Sequence, residues 1–268
     1  MEKEMNVKAQ VTIFVILAIV IIAAGGIAYY MEKNIGTSDA KFSTNLEIQA
    51  KYDKITAQVY DCLESTCQDA LDVVGLQGGY YEKPADSYDF GWGFIPYYYN
   101  EGKFAMPTTS EMQKQLGLAV DENIPYCIED IDKGDFNLTY LAPKTKAEIK
   151  AEEVTFKTDF QITVSDRQHA SKFQLKNHPA NIPSKIYDMI QISDFIYQSH
   201  KEDPYMISFS TLVDMGTEKN LFIDLTDFDK DSTLFVITYN NTDKFPKTFE
   251  FLAKYKERTV PELISPDL

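Results

Sequence analysis

Positive charge is scarce in this sequence. Lys and Arg number 26 against 41 Asp and Glu, for a net charge of −15. No basic patch stands out. That excludes nucleic acid as a partner, because phosphate binding is carried by clustered cations. The acid surplus keeps a surface soluble, or draws divalent cations or basic surfaces. Histidine is also rare: His169, His178 and His200 are the three, and they are scattered. Cysteine is limited to Cys62, Cys67 and Cys127 with no C-x-x-C, so a zinc site lacks its ligand set. No G-x-S-x-G, H-E-x-x-H or phosphate loop occurs. The glycines of "GLQGGY" are not preceded by the strand that a dinucleotide fingerprint requires. These absences point away from an enzyme and from any cofactor.

What the sequence does have is one long greasy run. From Val11 to Tyr30 there are 20 residues without a charge. As a helix the run spans about 30 Å, the thickness of a bilayer's hydrocarbon core. Thr12 is tolerated because its hydroxyl bonds back to the preceding turn. Tyr29 and Tyr30 sit at the end, where amphipathic rings favour the water interface. A cut secretory signal is the rival, with Gly26 to Ala28 as its cleavage region. The run is longer than such signals need, and Glu2, Lys3, Glu4 and Lys8 before it sum to zero charge. A retained segment is therefore expected at 10–31, partnered by the lipid bilayer, with self-association through this helix. Ala24, Gly25, Gly26 and Ala28 allow close helix approach. The leader 1–9 is expected inside and the long C-terminal part outside, at the cell membrane or cell surface.

The residues at the start of the run add a resemblance. Lys8-Ala9-Gln10 followed by Val-Thr-Ile-Phe resembles the class III signal of archaeal type IV pilin-like proteins. The resemblance implies cleavage between Ala9 and Gln10, with the helix kept as a filament core. This chain has Phe14 where many members of that family carry a Glu. The stretch Cys62 to Tyr81 is also similar to an archaeal group of membrane-anchored proteins beginning in "QVTIF", a likeness that carries no function. The resulting expectation is a pilin-like filament or cell-surface structural subunit with an outward-facing head. The alternative is a single-pass anchored extracellular domain that binds a protein or a glycan.

In an outside compartment a disulfide is permitted. Cys62 and Cys67 are five residues apart, which on a helix points them away from each other. A bridge from one of them to Cys127 is expected, and Cys62–Cys127 is the choice, Cys62 lying nearer the apolar stripe. Three buried thiols are the alternative. Asn137-Leu-Thr and Asn240-Asn-Thr are glycosylation sequons.

Along the chain, Phe42, Leu46, Ile48, Tyr52, Ile55, Val59, Leu63, Ala70, Leu71 and Val74 recur largely at intervals of three and four. The spacing predicts a long amphipathic helix over 38–77, stopped by Gly78-Gly79. An aromatic-rich irregular segment fills 78–130. Its rings either wrap the long helix or form a contact surface, for which Trp92, Tyr97, Tyr98 and Tyr99 are the candidates. The wrapping is favoured, although three consecutive tyrosines cannot all point inward from a regular strand. Two short helical pieces, Glu111 to Leu118 and Val120 to Cys127, are expected, interrupted by Pro125.

From 131 to 256 the texture alternates. Strands are expected near Leu138, over Ala147 to Ala151, Val154 to Val164 and Lys172 to Lys176, then at Leu221 to Leu225, Leu234 to Tyr239 and Thr248 to Tyr255. Helices are expected over Ser184 to His200 and Met206 to Met215. The tail 257–268 lacks periodicity. The fold class is α+β: an N-terminal transmembrane helix, the long helix, and a mainly antiparallel sheet ectodomain with one or two helices. In "DLTDFDKDS" the spacing of Asp227, Asp229 and Asp231 suggests a calcium loop, but Ser232 and Thr238 stand where its Gly and Glu belong. An acidic hairpin turn is the favoured reading, with no metal.

Overall fold

The computed structural model describes residues 46, 48–167, 170–240 and 246–256. The processing site Ala9–Gln10, the run 10–31 and the tail 257–268 lie outside the described residues. Among the described residues no helix is long and apolar enough to cross a membrane. The chain divides into two compact units, Met1–Thr56 and Ala57–Leu268. In the first, the described residues at 46 and 48–56 are helical.

The second unit begins with helix residues 57–76, here α1. Val59, Cys62, Leu63, Thr66, Cys67, Ala70, Leu71 and Val74 are its buried stripe, at the three-and-four spacing that places side chains on one face. Its end is a Schellman motif: Gly79 N–H donates to the Val74 carbonyl at 2.8 Å and Gly78 N–H to the Gly75 carbonyl at 3.0 Å. Gly78 has φ +52° and Gly79 φ +83°, which L side chains rarely adopt.

Strands β1 (Ser87–Asp89), β2 (Phe94–Asn100) and β3 (Lys103–Phe104) follow, then helix α2 (Thr109–Glu129). Thr108 caps α2 by accepting from Glu111 N–H at 3.2 Å. The two short pieces expected here are one continuous helix with Pro125 inside it. Proline there forfeits one backbone hydrogen bond. Buried Ile124 and Ile128 and the bridged Cys127 hold the helix on both sides.

The remaining elements are β4 (Asn137–Tyr140), β5 (Lys144–Ile149), β6 (Glu153–Asp159), β7 (Gln161–Ser165), β8 (Ala170–Gln174) and β9 (Ala180–Pro183). Then come helices α3 (Ile186–Glu202) and α4 (Phe209–Lys219), and strands β10 (Phe222–Asp229), β11 (Ser232–Tyr239) and β12 (Lys247–Lys254). The fold is α+β with mostly antiparallel sheets. Three helices follow α1: α2 replaces the two short pieces expected before 131, and α3 and α4 are the two helices of 131–256. Helix α4 starts later than Met206 because Ser208 supplies its cap, accepting from Thr211 N–H. It ends at Asn220 in the left-handed region, φ 56°.

The main sheet runs β1-β2-β12-β11-β10, with β3 also on β2. All its pairs are antiparallel except β2 with β12. The segment before α2 and the last strand are thus hydrogen-bonded neighbours, and residues 87–104 belong to the sheet. Two three-stranded sheets, β4-β7-β8 and β5-β6-β9, complete the fold. The apolar stretch Val154 to Val164, expected as one strand, breaks at Phe160 and serves both small sheets. Phe160 is fully buried, and its carbonyl accepts from Leu175 N–H rather than from a sheet partner.

Packing is close where helices meet strands. A methyl group on Gly75 would lie 2.5 Å from the Thr248 carbonyl oxygen of β12, and one on Gly117 of α2 2.6 Å from that of Thr145 on β5. Glycine is required at both by proximity. A disulfide joins Cys62 of α1 to Cys127 of α2, with Cα atoms 5.7 Å apart. Cys67 is also buried in the apolar stripe, so depth does not distinguish the two. Burial, with Glu64 beside it, pushes its thiol up to about 12, so it stays protonated and inert.

Candidate functional site

The segment "SYDFGWGF" places a tight turn between β1 and β2. Asp89 Oδ1 accepts from Gly91 N–H at 2.6 Å, and Phe90 N–H donates to the Gly93 carbonyl at 2.8 Å. Gly91 has φ +87°, a conformation that favours glycine. Lys83 reaches in from the preceding loop and pairs with Asp89 Oδ2 at 2.5 Å. That charged hydrogen bond, with the Gly91 N–H, holds the Asp89 carboxyl below its ordinary value.

This turn carries Trp92 out of the sheet at 89% exposure. The rings around it form a continuous strip. Trp92 stacks on Phe90, with centroids 5.5 Å apart and planes 23° apart. Phe90 meets the edge of Tyr88 at 5.1 Å, and Tyr88 meets Phe228 of β10 at 4.8 Å. Tyr88 and Phe90 are themselves exposed. Phe228 arrives by a bulge: Asp227 pairs with Thr233 and Asp229 with Ser232, so Phe228 has no opposite residue on β11. At the other end of the hairpin, away from the turn, Asp86 accepts from the Asn100 side chain at 3.3 Å. Four aromatic rings with the Lys83–Asp89 ion pair beside them are the features of a recognition surface.

The other aromatic candidates lie elsewhere. Tyr98 and Tyr99 are buried, 1% and 3% exposed, which removes both from the surface. A second bulge is the reason. Tyr97 pairs with Leu252 and Tyr99 with Ala253, so Tyr98 is an inserted residue. Both rings then reach α3: Tyr98 contacts Tyr197 and stacks on Phe251 at 4.3 Å, and Tyr99 stacks on His200 at 5.5 Å. The Tyr98 hydroxyl donates to the Gly78 carbonyl at 2.9 Å. Tyr97 is half-buried. His200 is 1% exposed, its Nε2 lies 3.1 Å from the Tyr255 hydroxyl, and burial lowers its pKa to about 4. It is a neutral core residue.

Asp227, Asp229 and Asp231 border one hollow of about 510 Å³ together with Lys230 and Lys256. Asp227 sits within β10, and Asp229 Oδ1 accepts from Asp231 N–H at 2.9 Å across the β10–β11 turn. That backbone donor holds Asp229 below the usual carboxylate range. Asp231 pairs with Lys230 at 3.5 Å. Among the described residues no group of three His, Cys, Asp or Glu side chains is placed to hold a metal ion. Asn137 and Asn240 are both exposed.

Other concave places among the described residues include the following two. One, of about 320 Å³, lies between α1, the start of α3 and β12. Its lysines are paired, Lys247 with Asp72 at 2.5 Å and Lys185 with Asp188 at 3.1 Å. The other, about 520 Å³, is an apolar groove between α4 and β10, bordered by exposed Phe209, Val213 and Phe222.

Trp92 is the one member of the strip among the sequence candidates. Tyr88 and Phe90 belong to the aromatic run that surrounds it. Phe228 is not announced: within "DLTDFDKDS" it is a single ring among acids, and only the bulge aims it at Tyr88. No family model matches this chain, and neither does any curated protein or solved structure.

Proposed function

We propose that this chain is a surface-anchored protein whose apolar run at 10–31 holds it in a membrane or in a filament core, with the folded unit displayed outside. The observation that carries this reading is the Cys62–Cys127 disulfide in a chain that also holds a 20-residue uncharged run. A bridge of this kind persists in an oxidising compartment and is rare in the cytosol. The packing of α1 along a mainly antiparallel sheet suits the head of a pilin-like subunit, and the class III-like sequence at Ala9-Gln10 agrees with it. The filament subunit is the favoured form. A plain anchored binding domain is the second form, and the exposure of Trp92 favours that one.

N-terminal sequencing of the native protein tests the proposal, joined to electron microscopy of the membrane fraction. Gln10 as the first residue, in fibres that contain the chain, is the expected result. An intact Met1 in a laterally mobile membrane protein selects the plain anchor. A freely soluble protein with a reduced Cys62–Cys127 pair overturns both.

A further inference from the structure

We propose that the Tyr88–Phe90–Trp92–Phe228 strip is a carbohydrate-binding platform, on which Trp92 stacks against the C–H face of a neutral hexopyranose unit in a glycan chain. The proposal rests on the outward display argued above only for the ligand's presence, since the binding itself belongs to the folded unit.

Three observations on the strip converge. The first is geometry. One face of Trp92 is backed by Phe90 at 5.5 Å, and at 89% exposure the indole leaves its other face to solvent. The aromatic face is electron-rich and meets polarised C–H groups favourably, which is the complement a pyranose face offers. The second is preorganisation. The Asp89–Gly91 and Phe90–Gly93 hydrogen bonds and the Lys83–Asp89 pair hold the turn before any ligand arrives. Ordering the turn is therefore not charged against binding. Both flanking glycines are open: a methyl group at Gly91 or Gly93 would meet no atom within 4 Å. Gly91 is required by its φ of +87°, whereas Gly93 has no such backbone requirement.

The third is charge. The chain carries −15, so a second copy or an anionic lipid surface approaches against repulsion, and a neutral glycan does not. The Lys83–Asp89 pair at the turn supplies a donor and acceptors of the kind that orient sugar hydroxyls.

The chain has one tryptophan, so its emission reads the site directly. The experiment titrates the purified full chain, in a detergent without sugar headgroups, with cellohexaose, chitohexaose and mannohexaose. A saturable blue shift with at least one of them is expected. Calorimetric titration of variants follows. Trp92→Ala abolishes binding, Phe90→Ala weakens it about tenfold, and Trp92→Phe retains part of it, all with unchanged melting midpoints. Emission that stays flat with all three oligosaccharides overturns the proposal. So does a shift obtained only with phosphatidylcholine vesicles, or only on raising protein concentration. The readout is independent of whether the mature chain begins at Met1 or Gln10, so its failure is separable from failure of the anchored reading.

Discussion

Tyr98 and Trp92 stand six residues apart on one hairpin, yet their rings occupy opposite environments. Tyr98 is 1% exposed and sandwiched between sheet and helix, whereas Trp92 is 89% exposed and touches the ring beside it. Both belong to a segment dense in aromatics. What separates them is backbone geometry: a bulge turns Tyr98 and Tyr99 together toward α3, and a tight turn with a positive-φ glycine lifts Trp92 away from the sheet. The inner cluster stabilises the fold. The outer one contributes little to the fold and is available for recognition.

The largest test of that contrast is Tyr98→Ala. Removing a fully packed ring and the hydroxyl that bonds to Gly78 should destabilise the fold by about 4 kcal/mol in chemical denaturation. A loss below about 1 kcal/mol would erase the distinction between the two clusters.

The next is pH dependence of the inner cluster. His200 is held neutral in the folded chain, with its pKa lowered to about 4, while the unfolded chain takes up a proton near pH 6.5. Its contribution is therefore complete above about pH 6.5 and is lost as pH falls towards 4, about 3 kcal/mol by that point. Denaturation midpoints measured between pH 7 and pH 4 should fall accordingly, and a His200→Gln variant should show a shallower decline over that range.

Gly75→Ala tests the support beneath the inner cluster. Its methyl group meets the Thr248 backbone oxygen at 2.5 Å, so α1 must shift from β12, at about 2 kcal/mol by thermal melting. The smallest effect belongs to the outer cluster. Trp92→Ala should change stability by no more than about 0.5 kcal/mol, because the ring buries little area. A larger loss would show that the strip is part of the core.

Much of the fold was legible in the residue pattern. The stripe from Val59 to Val74 and the Gly78-Gly79 stop mark α1, since a 3.6-residue period and a left-handed terminus are local properties. The alternation in Phe235 to Ile237 and Phe249 to Phe251 marks strands for the same reason. Pro125 misled, because a proline's local penalty was outweighed by burial of Ile124 and Ile128 and by the Cys127 bridge. Val154 to Val164 misled because alternation persists through a change of sheet. Of the candidate site, Trp92 was legible only as one of four aromatic candidates, with Tyr97, Tyr98 and Tyr99. Tyr98 and Tyr99 could not be assigned to the interior, since their orientation depends on a register defined against Leu252 and Ala253, more than 150 residues away.

By itself the sequence determined the α+β class, the helix stops, the acid surplus and the 20-residue uncharged run, all of which follow from composition and short-range periodicity. Tertiary structure alone decided that β2 lies beside β12 and that Phe228 completes a strip with Trp92. Those outcomes come from long-range pairing and from bulges, where one inserted residue changes which face a side chain occupies and no local preference records the choice.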